Sequence, residues 1–261
     1  MEFEKRTYGD RVVAIIQGRM GSSRLPGKVL KDIAGKSMLA HVVERTARAQ
    51  SVDAVMVATT DEASDDPIAQ ACEGLRIACY RGSQYDVLDR FYQAALQAKA
   101  DVIVRITADC PLIDPQVIDL TVAAFYDQQA DFAANRLPPP FKRTYPIGLD
   151  TEVCSFAALQ RAWREASAQH EREHVMPYLY EEDGRFKVAV INAPEDYGHL
   201  RWTVDTPEDL EELRAIFALL PDPVTAGWLD VLRTWQAHPE IQELNAAVKH
   251  KTMFDIDKRG L

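Results

Sequence analysis

The chain has 261 residues, of which 47% are hydrophobic and 27% charged. This composition is that of an ordinary folded protein, and the length suits one large α/β domain or two small ones. A formal net charge of −10 argues against a nucleic-acid or anionic-membrane surface. The charged start does not fit a signal sequence, and the apolar runs are too short for a membrane span. The four cysteines are scattered, as in proteins of a reducing compartment. We therefore expect a cytoplasmic protein.

An apolar run at 12–16 has the length and β-branching of a buried strand. Helical and strand patterns then alternate along the first half of the chain. Strands are predicted at 54–59, 76–80, 102–106 and around 132, and helices at 37–50, 67–73, 86–98 and 115–128. This alternation predicts an α/β fold with right-handed crossovers and a mostly parallel sheet that is covered by helices on both faces.

The pattern changes at a proline-rich and cation-rich segment, 138–148, which cannot be a central strand. Beyond it, strands are predicted at 150–155 and 186–191, and helices at 156–168 and 207–220. Thr206 is the expected cap of the last of these helices, with Pro207 in its first turn and Asp209 three residues after the cap. We expect one domain over 1–220, including the 138–148 segment, and a helical appendage over 221–261.

The loop at 17–28 reads Gln-Gly-Arg-Met-Gly-Ser-Ser-Arg-Leu-Pro-Gly-Lys and follows the first strand directly. Open α/β sheets bind ligands at the carboxyl ends of their strands, and glycines let backbone N–H groups approach an anion. The loop is not a P-loop, because Ser22 replaces its first glycine and Val29 its magnesium-binding hydroxyl. An ordinary basic turn is the alternative. Three cations, Arg19, Arg24 and Lys28, in an acidic chain favour a triphosphate-binding loop.

Two carboxylates are candidates for a magnesium site. Asp109 stands just past the strand at 102–106, at the sheet edge where the 17–28 loop is expected. Magnesium is commonly held by one or two carboxylates together with phosphate oxygens and water. The alternative is that Asp109 only caps a turn before Pro111. Asp205 precedes the helix cap at Thr206, is not needed for capping, and is the candidate second carboxylate.

The segment His170-Glu171-Arg172-Glu173-His174 fits the zinc-protease pattern His-Glu-x-x-His. That pattern needs a longer helix and a third ligand, whereas Pro177 interrupts the helix three residues later. We therefore expect these residues to border a polar cleft or to lie on a solvated helix end.

Four motifs together carry a family resemblance. They are Gly-Arg-Met-Gly-Ser-Ser-Arg-Leu-Pro-Gly-Lys at 18–28, Thr-Ala-Asp-Cys-Pro-Leu-Ile-Asp-Pro at 107–115, Glu-Arg-Glu-His-Val at 171–175 and Trp-Thr-Val-Asp-Thr-Pro-Glu-Asp-Leu at 202–210. Over residues 11–220 the chain resembles the spore coat polysaccharide biosynthesis protein F family, which is similar to CMP-KDO synthetases and acylneuraminate cytidylyltransferases. The chain departs from the synthetases at Thr107-Ala108-Asp109-Cys110-Pro111, where they have Gln-Gly-Asp-Glu-Pro, and at 17–19, where they have Pro-Ala-Arg.

The resemblance implies a nucleotide-diphospho-sugar transferase-like fold, which is a Rossmann-like three-layer sandwich. It also implies a CTP-dependent nucleotidyltransferase that makes precursors for cell-surface polysaccharides. It implies that Arg19 and Lys28 hold the triphosphate, and that Asp109 and Asp205 are the Mg²⁺ carboxylates. Arg19, Lys28 and Asp109 are thus the expected catalytic residues. The expected nucleotide-binding residues are Gln17, Gly18, Arg19, Gly21, Ser22, Ser23, Arg24, Lys28, Thr59, Thr60, Asp61, Arg81, Ser83 and Thr107.

The acceptor is expected to be a sugar acid or a phosphorylated sugar-like molecule. Its candidate contacts are Asn135, Arg143, Tyr145, Asp150, Glu152, Glu173 and His174. The 138–148 segment is instead a candidate dimerisation arm, as related synthetases use an excursion there, and a homodimer is expected. A glycosyltransferase that uses a finished nucleotide sugar and a non-catalytic nucleotide-binding protein are the competing hypotheses.

Overall fold

The structure is a computed structural model that describes residues 8–138 and 141–248, so the predictions for 1–7, 139–140 and 249–261 lie outside the described residues. The strands are β1 (Val12–Gln17), β2 (Asp32–Ile33), β3 (Lys36–Ser37), β4 (Ala54–Thr60), β5 (Ala78–Gly82), β6 (Val102–Thr107), β7 (Phe132–Ala134), β8 (Glu152–Ser155) and β9 (Val188–Val190). The α-helices are α1 (Met38–Thr46), α2 (Asp66–Leu75), α3 (Val87–Ala98), α4 (Pro115–Asp127), α5 (Phe156–Glu165), α6 (Gln169–His174), α7 (Pro177–Tyr180), α8 (Pro207–Leu219), α9 (Trp228–Ala237) and α10 (Pro239–Gln242). Within the described ranges no helix has both the length and the apolar character that crossing a bilayer requires.

Seven strands form the central sheet, in the order β5-β4-β1-β6-β8-β7-β9. Only β8 runs against its neighbours β6 and β7, so the sheet is mostly parallel, as the sequence predicts. Gln17 at the end of β1 is in register with Ala58 of β4 and with Thr107 of β6. The loops that follow these three strands therefore emerge side by side at one edge of the sheet.

Alternate strand residues build a core on each face of the sheet. Ala14, Ile16 and Val104 point to the face that α1, α2 and α4 cover. Val13 and Ile103 point to the opposite face, beneath α3 and α5. The predicted α/β fold with helices on both faces is confirmed, and it places the sheet in the middle of three layers.

Several predicted boundaries are wrong by a few residues. The helix at 67–73 is longer than expected, because α2 runs through Gly74 and ends where Arg76 takes a left-handed backbone with φ of 55°. The two extra residues at the end of this helix move the predicted strand at 76–80 to Ala78–Gly82. The helix predicted over 156–168 ends at Glu165, and the short helices α6 and α7 follow it without having been predicted.

Helices α9 and α10 pack against the rest of the chain through Trp228. Its side chain is buried in a third core that includes Leu112, Tyr145 and Trp202. Buried Arg45 adds polar contacts, since its guanidinium donates to the carbonyl oxygens of Pro223 and Ala226 at 2.6 and 2.9 Å. The polar contacts of residues 223–226 and the apolar contacts of Trp228 thus fix the start of the C-terminal segment.

Replacing Trp228 by Ala should lower the free energy of unfolding by about 3–5 kcal/mol, the usual loss for a large buried aromatic residue. Leu229→Ala is the matched control, since Leu229 is the next residue of α9 and is 48% exposed. We expect that control to change stability by less than about 0.5 kcal/mol. Urea unfolding curves measure both values, and equal losses for the two variants would contradict the described packing.

Candidate active site

The 17–28 loop continues β1 over the edge of the sheet and needs glycine at two positions. A Cβ atom on Gly18 would lie 2.9 Å from the Cβ of Ala108, so only glycine lets the loop pass this close to the end of β6. Gly27 has a left-handed φ of 67° and closes the loop by donating from its N–H to the carbonyl of Met20 at 2.9 Å. The loop is therefore a closed turn that begins the 3-10 helix Lys28–Leu30.

The Lys28 ammonium lies between two carboxylates that are far apart in the sequence. Its Nζ donates to Asp109 Oδ2 at 2.7 Å and to Asp205 Oδ1 at 2.8 Å. A third donation, to the carbonyl of Val204, is 2.7 Å long. The backbone supports this convergence, because the N–H of Val204 donates to the carbonyl of Asp109 at 2.9 Å.

Lys28 and Asp205 hold each other in their charged forms. Burial alone would lower the pKa of the Lys28 ammonium, but Asp109 and Asp205 raise it above its usual value. Burial alone would raise the pKa of the Asp205 carboxyl, yet Lys28, Arg201 and Arg24 hold that pKa well below its usual range. Arg24 and Arg201 reach Asp205 Oδ2 at 3.0 and 2.7 Å.

A cavity of about 260 Å³ opens above this cluster. All of its lining residues except Val29 and Ala108 are predicted site residues. These are Gln17, Gly18, Arg19, Gly21, Ser22, Ser23, Arg24, Lys28, Thr107, Asp109 and Asp205. The structure thus brings the loop, its three cations and both carboxylates to one cavity at the carboxyl ends of β1 and β6.

Asp65 anchors the loop from below and is a residue that the sequence analysis missed. Its buried carboxylate accepts from the N–H of Met20 at 2.8 Å and from the hydroxyls of Thr59 and Thr60 at 3.1 and 2.5 Å. Thr59 and Thr60 are themselves buried, and their hydroxyls point to Asp65. These contacts tie the loop to the end of β4.

The other nucleotide-binding candidates lie beside this cavity rather than in its lining. Arg81 lies in β5, and its guanidinium donates to the carbonyls of Thr60, at the end of β4, and Glu62 at 3.0 and 2.8 Å. The Ser83 hydroxyl accepts from the N–H of Asp86 at 3.0 Å and so shapes the turn before α3. Asp61 is exposed at the same edge of the sheet.

A second cavity, of about 160 Å³, adjoins the first, and Thr107 lines both. The residues that line it are Arg105, Thr107, Arg136, Asp150, Glu152, His174 and Tyr180. Its charges are paired: Arg105 forms an ion pair with Glu152, and Asp150 lies 3.8 Å from Arg136. Arg105 also donates to Gln17 Oε1 at 3.2 Å, which links the two cavities.

Three acceptor candidates, Asp150, Glu152 and His174, line the second cavity. Arg143 reaches it indirectly through its ion pair with Asp150, whereas Glu173 is half-buried on α6 outside the lining. Two further candidates have structural contacts instead. Asn135 is buried and bonds through its side chain to the backbone of Leu149 and Thr151, and Tyr145 is buried against Trp228. Neither residue lines the second cavity.

The His-Glu-x-x-His segment forms α6 and holds local structure. His170 Nε2 lies 2.8 Å from Glu181 Oε2, away from His174 in the second cavity. Glu171 caps the helix by accepting from the N–H groups of Ser167 and Ala168 at 3.0 and 2.9 Å. His170 thus pairs with Glu181, whereas His174 lines the second cavity.

The sequence analysis also missed Arg105, Arg136, Tyr180 and Arg201. Arg136 stands just past β7 at a strand end, a signal that could have been used. Arg105 lies within β6, where an arginine among apolar residues gives no functional signal. Tyr180 and Arg201 reach their positions only through tertiary packing.

The side chains in the first cavity fit a divalent metal. Asp109 and Asp205 already converge on one cation, Lys28 Nζ, and hard oxygen donors of this kind suit Mg²⁺. Across 8–138 and 141–248, no group of three or more His, Cys, Asp and Glu side chains is arranged to hold a metal. A metal here would need ligands from a bound nucleotide, as Mg²⁺ commonly does.

A mostly parallel α/β sheet with a glycine- and cation-rich loop and paired carboxylates at its carboxyl edge fits an enzyme of nucleotidyl transfer. Residues 13–253 match the model of the family described as cytidylyltransferase, and the chain belongs to this family. The resemblance to the spore coat polysaccharide biosynthesis protein F family is confirmed, and the enzyme is a nucleotidyltransferase.

Curated relatives and a solved structure agree with this assignment. The chain is 33% identical to the spore coat polysaccharide biosynthesis protein SpsF of Bacillus subtilis, over 79% of this chain and 86% of SpsF. It is 32% identical to a 3-deoxy-manno-octulosonate cytidylyltransferase of Anaeromyxobacter, over 81% of this chain and 98% of the relative. A cytidylyltransferase structure from Leptospira borgpetersenii superposes with a TM-score of 0.85 at 32% identity, covering 92% of this chain and 100% of that one.

The Asp65 contacts generate a prediction. Asp65→Asn replaces an acceptor oxygen by an N–H donor, which then faces the hydroxyl and N–H groups of Thr59 and Thr60. Hydrogen bonds to a charged group are worth about 1.5–3 kcal/mol. We expect a lower melting temperature and a KM for the nucleoside triphosphate raised about tenfold or more. Glu73→Gln, on the exposed side of the neighbouring helix α2, is the control and should change neither value. An unchanged KM in Asp65→Asn would show that the loop does not depend on this anchor.

Proposed function

We propose that the enzyme transfers a cytidylyl group from CTP to a sugar acid or phosphorylated sugar-like acceptor and releases pyrophosphate. The observation that carries the proposal is the convergence of Lys28, Asp109 and Asp205 in a cavity that adjoins a second cavity, which is lined by paired arginine and carboxylate side chains. The names of the curated relatives support CTP as donor and cell-surface polysaccharide precursors as products. The homodimer and the cytoplasmic location stay predictions.

The triphosphate would lie along the 17–28 loop. Arg19, Arg24 and Lys28 line the first cavity and supply the positive charge that the β- and γ-phosphates need. Lys28 can exchange its carboxylate contacts for phosphate oxygens, since its ammonium is a compact point charge on a flexible four-carbon stem. The cytidine would extend toward the ends of β4 and β5, where Asp61, Arg81 and Ser83 lie.

The acceptor would occupy the second cavity and face the α-phosphate across Thr107. An acceptor oxygen attacks the α-phosphorus, the new O–P bond forms, and the bond from the α-phosphorus to the bridging oxygen breaks. Pyrophosphate leaves with that oxygen, and a hydroxyl acceptor also loses its proton to water. Such a displacement depends on alignment and on charge neutralisation rather than on covalent help from the protein.

Asp109 and Asp205 would hold the Mg²⁺, which neutralises phosphate charge when it is bound. The protein's own cations act on the same charge, because Lys28 and the loop arginines face the leaving group. Fixed charges of this kind act most strongly in a partly buried site. Asp109 places one oxygen on Lys28, whereas Asp205 has three cationic partners. Asp109 is therefore the more available of the two metal ligands.

Asp109→Asn tests the catalytic assignment. We expect pyrophosphate release to fall by about 100- to 1000-fold, the scale of losing one preorganised charge stabiliser, while circular dichroism shows an unchanged fold. Glu208→Gln changes an exposed carboxylate close to Asp205 in the sequence and should keep full turnover. The assay is a screen of the four nucleoside triphosphates against sugar acids and sugar phosphates with Mg²⁺. Near-normal release from Asp109→Asn would contradict the assignment.

Arg136→Ala separates the two cavities. Arg136 lines only the second one, so we expect the KM for the acceptor to rise about tenfold or more while the KM for CTP stays the same. Arg164→Ala removes an exposed arginine of α5 and serves as the charge-matched control. A parallel rise of both KM values in Arg136→Ala would argue that the second cavity is not a separate acceptor site.

A further inference from the structure

The Asp205 carboxylate is held by a chain of buried polar contacts that leads away from the nucleotide cavity. Arg201 Nη2 donates to Asp205 Oδ2 at 2.7 Å. The same guanidinium donates to both carboxylate oxygens of Asp209, from Nε at 2.9 Å and from Nη2 at 3.1 Å. Asp209 is fully buried, so its charge is matched by Arg201 rather than by solvent. The position of Asp205 therefore depends on the Arg201–Asp209 pair.

Asp209 also fixes the backbone that carries Asp205. Its Oδ2 accepts from the N–H groups of Asp205 and Thr206 at 2.8 and 3.0 Å. A capping role at the start of α8 explains the contact with Thr206. A helix cap needs no arginine, however, and Arg201 is buried and bonded to Asp205 as well. The cluster does more than begin a helix.

The C-terminal segment completes this cluster through Asn245. Its Nδ2 donates to Asp209 Oδ1 at 3.2 Å, to the carbonyl of Arg201 at 3.3 Å and to Glu212 Oε2 at 2.5 Å. Glu212 Oε1 in turn accepts from the indole N–H of Trp235 in α9 at 3.0 Å. Asn245 is 8% exposed and lies outside both cavities. Polar contacts thus continue from the segment after α10 to the nucleotide cavity.

We propose that the 228–248 segment is a positioning element of the active site, in which Asn245 fixes Asp209 and Arg201 and thereby orients the Asp205 carboxylate. The inference rests on the proposed function, in which Asp205 helps to hold Mg²⁺ with the nucleotide. Asn245 itself is a positioning residue, because it touches neither cavity. Outer-shell residues of metal sites change metal affinity or activity by about 10- to 100-fold when they are replaced.

Asn245→Ala removes all three contacts of Nδ2 and leaves the full chain in place. We expect the Mg²⁺ concentration that gives half-maximal CTP binding to rise about tenfold in isothermal titration calorimetry, while CTP binding without Mg²⁺ stays as in the unchanged protein. Gln242→Ala is the matched control, since its side chain donates at 3.0 Å to the carbonyl of Trp235 and anchors the same segment without reaching Asp209. That control should leave both binding values unchanged.

The possible outcomes separate the inference from the proposed function. The positioning role would be overturned if Asn245→Ala and the wild-type protein had equal Mg²⁺ dependence of CTP binding, or if the variant lost equal CTP affinity with and without Mg²⁺. CTP-dependent turnover would persist in either case. Absence of Mg²⁺-dependent CTP binding in the unchanged protein would overturn the proposed function and, with it, this inference. If Asn245→Ala does not fold, Asn245→Ser retains one donor, and the same two results decide.

Discussion

The ion cluster at Lys28 is the interaction on which the rest of the site depends. One ammonium joins a carboxylate that follows β6 to another that precedes α8, at 2.7 and 2.8 Å. Taking charges out of water is costly unless they are paired, and here each member of the cluster has a partner of opposite sign. The cluster therefore fixes where the 17–28 loop, Asp109 and Asp205 lie relative to one another.

Two buried carboxylates outside the first cavity hold this arrangement from opposite sides. Asp65 ties the backbone of the loop to the end of β4, and Asp209 ties Arg201 and the backbone before α8. Neither side chain lines the cavity. Because of this rigid support, the residues that face the ligand are already ordered, and ligand binding does not cost the entropy of ordering them.

The sheet and the first cavity could be predicted from the sequence, because their signals are local. Strand runs, the glycine- and cation-rich loop and the acidic strand ends all lie within short stretches, and parallel topology then brings them to one edge. The second cavity could be predicted only in part. Asn135 looked like a polar residue at a strand end, but its amide is used by the backbone of a neighbouring segment. Arg105 and Asn245 act over long sequence separations that no local pattern records.

The most direct measurement is a crystal structure of the enzyme with Mg²⁺ and a CTP analogue whose α,β-bridge resists cleavage. The account predicts that the triphosphate lies along the 17–28 loop, with the metal contacting Asp109 and Asp205 and with the Lys28 ammonium on phosphate oxygens. A triphosphate bound elsewhere, or a metal that neither carboxylate contacts, would contradict it.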